Sequence, residues 1–273
     1  MKNESDIHIH LPHSVFDSHF HALHMSTKGL QTGTLLKELF SSGLTGALEA
    51  AVDEKNFPQR LQLAGEFPGL FLSAGIHPSA TGGEHGEWNL RFSQIRKQLR
   101  NPAVRAIGET GLDFFREHSP VEEQERAFRD HLNLASETGL PIIVHNREAD
   151  DAVLRLIRES GCRRGIFHCF SSGLKTAEAA LELGFHVSFS GNITYRKSDE
   201  IRKSAEIIPA DRILIETDSP YLSPQKVRGK TNHPGHIGYT LEFLAEIRGE
   251  RAEDLARNTT ENARSLFSPG ESD

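Results

Sequence analysis

The amino-acid sequence predicts an α/β fold, a closed (β/α)8 barrel with a metal site at the C-terminal ends of its strands. Three features carry that expectation. Eight short apolar runs recur along the chain, segments with helical spacing separate them, and nearly every run ends on ionisable or strongly polar residues. Strand alternating with helix implies parallel pairing through right-handed crossovers, and eight such units suffice to close a barrel. An open doubly wound sheet accommodates the same order of elements, but it would spread eight strand ends too widely to meet. In a barrel they converge on one face.

The first run, SVFDSHFH, ends on His19 and His21, whose i, i+2 spacing turns both rings to the same side of a strand. TGALEAAV follows, then GLFLSAGIHP with His77 at its exit. In VRAIGETGLD the apolar start places Glu109 at a strand's end, and PIIVHN, GIFHCF and HVSFSGN carry His145, His168 and Asn192 in the same way. The eighth run, RILIETDSP, ends on Glu216 and Asp218. Of the intervening segments, VEEQERAFRDHLNLASETGL is representative: Phe128, Leu132 and Ala135 fall at helical spacing, and Gly139 is a C-terminal stop.

These spans divide the chain into an N-terminal extension (1–14), the barrel (15–267) and a C-terminal tail (268–273). The extension holds a second Asp-x-His-x-His, DIHIH, preceded by polar residues and followed almost at once by Pro12. It has no place among the eight runs, so His8 and His10 are expected in a tail or at the barrel floor rather than on a metal.

Composition narrows the function classes. With 37% apolar and 25% charged residues among 273, the chain reads as a soluble globular protein, and no stretch approaches the roughly 20 apolar residues of a membrane span. A formal charge of −7 argues against coating nucleic acid through a broad basic face, while a local basic mouth remains compatible. Cys162 and Cys169 form no C-x-x-C, which argues against a disulfide framework or a thiolate zinc site. No secretory signal pattern precedes the first motif, and a reducing cytoplasm is the expected home.

His19, His21, Glu109, His145, His168 and Asp218 form a ligand set of imidazole nitrogens and carboxylate oxygens, which bind divalent ions at about 2.0–2.2 Å. Six ligands exceed what one catalytic ion uses. Two divalent ions about 3.5–4 Å apart are therefore expected, with Glu109 as the bridging carboxylate. Ligand type alone admits Mg, Mn or Zn.

In order, DSHFH, GIHP, GETGLD, VHNREA, HCFSSG, ETDSPYLSP, RGKTNHP and ENARSLF resemble the TatD-like metal-dependent deoxyribonucleases of the amidohydrolase superfamily, over about residues 15–267. The resemblance implies the same barrel, the same six ligands and hydrolysis of DNA phosphodiester bonds, commonly as an exonuclease. One departure is HCFSSG, whose glycine is displaced to Gly173, a change that bears on substrate fit rather than hydrolysis.

Roles follow for individual residues. Asp218 is expected to ligate an ion and accept the proton of a metal-activated water, and Glu216 to hold a ligand's proton or a water. His77 is a candidate for orienting the phosphate. Arg147, Arg228 and Lys230 could offset charge on the phosphoryl oxygens, although arginines near loops commonly make solvated ion pairs. Asn232 could position substrate through its amide, or serve only its turn.

Two rivals stand beside a nuclease. One is a hydrolase of a small C–N or ester substrate on the same barrel; against it, no evident strand-end lysine is present for a carbamate bridge, and Glu109 occupies that role. The other is a catalytically silent barrel that only binds, against which the ligand set is complete. The sequence sets neither the oligomeric state nor the preference for DNA over RNA or a modified linkage.

Overall fold

The computed structural model describes residues 8–83, 85–116 and 118–267. Eight strands run in parallel in chain order: β1 (Val15–Phe20), β2 (Leu44–Glu49), β3 (Leu70–Ala74), β4 (Val104–Asp113), β5 (Ile142–Arg147), β6 (Gly165–Phe167), β7 (His186–Phe189) and β8 (Ile213–Ile215). Each coincides with one of the eight apolar runs, β2 beginning and β5 ending one residue outside it. The intervening and flanking helices are α1 (Ala22–Thr27), α2 (Thr32–Ser42), α3 (Phe57–Glu66), α4 (His85–Gln98), α5 (Val121–Thr138), α6 (Asp150–Ser160), α7 (Leu174–Glu182), α8 (Asp199–Ile207), α9 (Ile237–Arg248) and α10 (Ala252–Phe267). The fold is a (β/α)8 barrel. Among the described residues no helix is long and apolar enough to cross a membrane.

All six residues of β1 are buried, as expected of a barrel strand covered on both sides. Inside the barrel, Phe16, Leu48, Ile143, Ile166 and Leu214 pack on Leu266 and Phe267 of α10, and Phe16 stacks between Phe71 and Phe267 at 6.1 and 5.9 Å. The helix thus plugs the floor and leaves the opposite end for polar side chains. A second cluster lies between strands and helices; in α5 it includes Phe128, Leu132 and Ala135, and the helix stops at Gly139 in the left-handed region.

The seam between β8 and β1 matters most for the site. Beyond β8 the Asp218 N–H donates to His19 O (2.9 Å) and the His21 N–H to Ser219 O (2.8 Å). Below them the buried Asp17 carboxylate accepts the Thr217 N–H (3.0 Å) and hydroxyl (2.6 Å). These bonds stitch DSHFH to ETDS and bring the two histidines beside Asp218.

The described part of the extension packs against α9 and the loop before it. The His10 N–H donates to Gly235 O (2.6 Å), its carbonyl accepts from Gly238 (3.2 Å), and its ring stacks on Tyr239 of α9 at 4.3 Å. His8 lies on the same tyrosine at 6.1 Å. The expected tail at 268–273 and residues 1–7, including Asp6 and Ile7 of DIHIH, lie outside the described residues.

Candidate metal centre

Glu109 lies at the middle of the site. Gly108 and Gly111 flank it closely, both with positive φ (+121° and +139°), and a Cβ at Gly111 would overlap the His145 carbonyl oxygen. The Glu109 carboxylate, 2% exposed, meets imidazoles on both oxygens. Its Oε2 faces His19 Nε2 (3.3 Å) and His21 Nε2 (3.5 Å), while Oε1 faces His145 Nδ1 (2.8 Å), His168 Nε2 (2.8 Å) and His77 Nε2 (3.4 Å). Asp218 Oδ1 adds a second carboxylate, 3.5 Å from His21 Nε2 and 3.8 Å from His19 Nε2. The structure therefore brings all six sequence-predicted ligands together. Within it, His19, His168 and Asp218; His19, His21 and Glu109; and His77, Glu109 and His145 each offer donor atoms within 4.8 Å of one another.

The outward-facing ring nitrogens reveal which lone pairs point inward. His21 Nδ1 lies 3.1 Å from Ala50 O, His145 Nε2 3.2 Å from Asp113 Oδ2, and His168 Nδ1 3.3 Å from Glu216 Oε1. Each outer nitrogen has an acceptor that would hold the ring's proton with a cation bound, leaving the other nitrogen to ligate it. His19 is instead held by stacking on His168, ring centroids 4.0 Å apart. Two imidazole Nε2 atoms, those of His19 and His21, come within 3.2 Å of each other beside two carboxylates. Converging lone pairs of this kind fit divalent cations.

His77 differs. Its Nδ1 accepts the Ser79 backbone N–H (3.0 Å), so the proton of the neutral ring sits on Nε2, which donates toward Glu109. That geometry suits a hydrogen-bond donor at the edge of the site better than a metal ligand.

Burial opposes charge on Glu109, but His168, His77 and His19 outweigh it and hold the carboxyl well below the usual range. Asp113, against burial, is lowered to about 2 by the hydrogen bond to His145 and by the Arg116 and Phe115 backbone N–H groups. Asp218 is lowered as well, with burial opposed by the hydrogen bond to His21 and the charges of His19 and His21. Its backbone sits at φ +52°, a conformation uncommon for a non-glycine residue and held here by the seam.

The remaining expected site residues separate. Glu216 is fully buried behind His168, where Oε1 also accepts the Cys169 N–H (2.7 Å), so it faces a ligand and not the mouth. Arg147 and Arg228 stand over the rings of Phe115 and Tyr195, at 4.4 and 4.3 Å, and Lys230 is exposed. Asn232 corrects the expectation of a substrate-facing amide. It is fully buried, its Nδ2 donates to Thr217 O (2.9 Å) and Tyr221 O (2.6 Å), and its Oδ1 takes the His233 N–H (3.0 Å) and lies 3.0 Å from His236 Nδ1. Its donors and acceptor are spent bracing the loop after β8. The departing HCFSSG loop is tied down by Ser172, whose hydroxyl donates to Asp150 Oδ1 (2.7 Å).

Asp113 was not singled out from sequence. The available signal was its place in GETGLD, four residues after Glu109 on one strand, an even spacing that favours a shared face.

A family model described as TatD related DNase matches residues 6–268. Among curated proteins, the chain is 33% identical over 259 residues to the uncharacterized metal-dependent hydrolase YabD of Bacillus subtilis, covering 93% of this chain and 98% of that one. It is 35% identical over 236 residues to the 3'-5' ssDNA/RNA exonuclease TatD of Salmonella typhimurium, covering 84% and 89%. Among solved structures, YJJV, a TatD homolog from Escherichia coli K12, superposes with a TM-score of 0.82 at 28% identity, covering 93% of this chain and 97% of that one.

Proposed function

Because this chain belongs to the TatD-related DNase family of metal-dependent hydrolases, we propose that it cleaves phosphodiester bonds of nucleic acid, DNA foremost, as an exonuclease. The observation that carries the reading is the two-sided Glu109 carboxylate, with His19 and His21 on one oxygen and His145 and His168 on the other. We read it as a site for two divalent ions, Mg, Mn or Zn, which His19, His21, Glu109, His145, His168 and Asp218 would hold. Such ions, when bound, acidify a water and polarise a phosphoryl oxygen.

The chain's own residues do the rest. Asp218 is the carboxylate placed to take the proton of the attacking water, since its side chain alone among the two acids of the last motif keeps some exposure, 12% against 0% for Glu216. Glu216 positions His168 by accepting its Nδ1 proton. His77 offers its Nε2–H to a phosphoryl oxygen, and Arg147 and Arg228 present positive charge to the strand. Both cysteines are free, in keeping with work in the reducing cytoplasm.

The test is hydrolysis of a DNA oligonucleotide together with metal content by elemental analysis. His145→Ala and Asp218→Ala should each lower both, with activity down by more than about 100-fold, because even partners outside the ligand set cost 10–100-fold. A variant carrying His8→Ala and His10→Ala should retain wild-type metal content and rate. Unchanged activity in the two ligand variants refutes the site; cleavage of a cyclic amide with DNA left intact refutes the substrate.

A further inference from the structure

Two large rings beside the centre are left uncovered. Phe115 is 55% exposed and Tyr221 is 44% exposed. Single exposed aromatics are ordinary on a protein surface, but these two stand at opposite ends of the ligand set. Phe115 follows Asp113, whose carboxylate holds His145 and also accepts the Phe115 N–H (3.1 Å). Tyr221 follows Asp218, its N–H donating to the Asp218 carbonyl (2.9 Å), and its ring lies edge-on to His21 at 6.0 Å.

Both rings are held in place without being covered. The Arg147 guanidinium occupies one face of Phe115 at 4.4 Å, and the Tyr221 hydroxyl is 3.0 Å from His24 Nδ1. A ring fixed on one side offers the other to a flat partner. Cationic groups stand on aromatic faces nearby: Arg147 lies over Phe115, and Arg228 lies over Tyr195 in the loop after β7, on a chain whose net charge is −7. Positive charge around π faces is the recognition chemistry of an unpaired nucleic-acid strand, because bases inside a duplex have no free face to offer.

Resting on the phosphodiesterase reading above, we propose that Phe115 and Tyr221 are base-stacking platforms on either side of the scissile phosphate. They make the bases of an unpaired strand, and not only its phosphates, part of what the enzyme binds.

The experiment compares kcat/KM on a single-stranded DNA oligonucleotide with that on the same oligonucleotide carrying abasic spacers at the two terminal positions. Wild type and the variants Phe115→Leu, Tyr221→Leu and the double variant are measured on both, metal-loaded. Loss of the bases should cost wild type about 5- to 100-fold, mostly in KM, given the usual worth of a stacked base. In the double variant the two oligonucleotides should be cleaved nearly alike, with each single variant between. A wild type indifferent to the missing bases, or a base preference equal in wild type and double variant, overturns the proposal. A wild type that cleaves neither oligonucleotide overturns the phosphodiesterase reading on which it rests.

Discussion

Asp113 sets the tautomer of a ligand without joining the ligand set. Its Oδ2 lies 3.2 Å from His145 Nε2, and Oδ1 accepts the N–H groups of Phe115 (3.1 Å) and Arg116 (2.9 Å). In Asp113→Asn the amide oxygen can keep the backbone bonds, which turns the NH2 toward His145 Nε2, a donor toward a donor. The imidazole then gains by moving its proton to Nδ1, and the inward lone pair is lost. Metal affinity should fall by about 10- to 100-fold, read by competition with a chelator on protein that circular dichroism shows to be folded. An affinity equal to wild type would mean that His145 needs no such orientation. The six proposed ligands were legible in the sequence because each is a strong donor at the exit of an apolar run. Asp113 was harder to see because its partner lies on the neighbouring strand. The same limit applies to Asn232, whose partners at Thr217, Tyr221 and His236 are set by a loop path that no local motif encodes.

At the scale of elements, β4 carries Glu109 and Asp113 and is irregular along its length. It spans ten residues, its register against β5 shifts between Ile107 and Thr110, and two positive-φ glycines lie within it. Apolar patterning revealed that a strand exists here, as it did for the other seven, because buried parallel strands are apolar on both faces. It could not reveal the seam at β8, where closure depends on Asp17, Thr217 and backbone groups beyond the last strand residue. Gly111→Ala tests the irregularity of β4. At φ +139° an L side chain is strained whatever the space, and here the methyl also meets the His145 carbonyl oxygen. The variant should lose more than about 2 kcal/mol in urea unfolding, combining a disfavoured backbone with overpacking. It should also bind metal more weakly, since relief of the overlap moves the strand that bears His145. Wild-type stability in this variant would show that β4 can relax without consequence.

Across the whole molecule, buried neutral histidines weaken the native state in acid, while the buried Asp17 carboxyl, raised to about 8 by burial, acts in the opposite direction. His131 on α5 is fully buried, with Nδ1 2.7 Å from Ala127 O and Nε2 accepting the Ile76 N–H at 3.2 Å. Burial lowers its pKa from 6.5 to about 4. His233 and His236, in the loop before α9, are lowered to about 3 and about 4, by burial first and then by neighbouring positive charge. A folded-state pKa below the unfolded value means that the unfolded chain takes up protons which the native chain refuses. The stability these residues contribute is therefore complete above pH 6.5 and is lost as pH falls toward 4. One shift from 6.5 to about 4 corresponds to roughly 3 kcal/mol. Asp113, already near 2, loses its contribution only at lower pH, so it does not obscure this window. In urea unfolding of the metal-free protein, the stability gap between wild type and His131→Gln should narrow by about 3 kcal/mol between pH 6.5 and pH 4, because only wild type carries that titration. A gap that stays constant across the window would mean that His131 is protonated alike in both states, and that acid acts on this barrel through other groups.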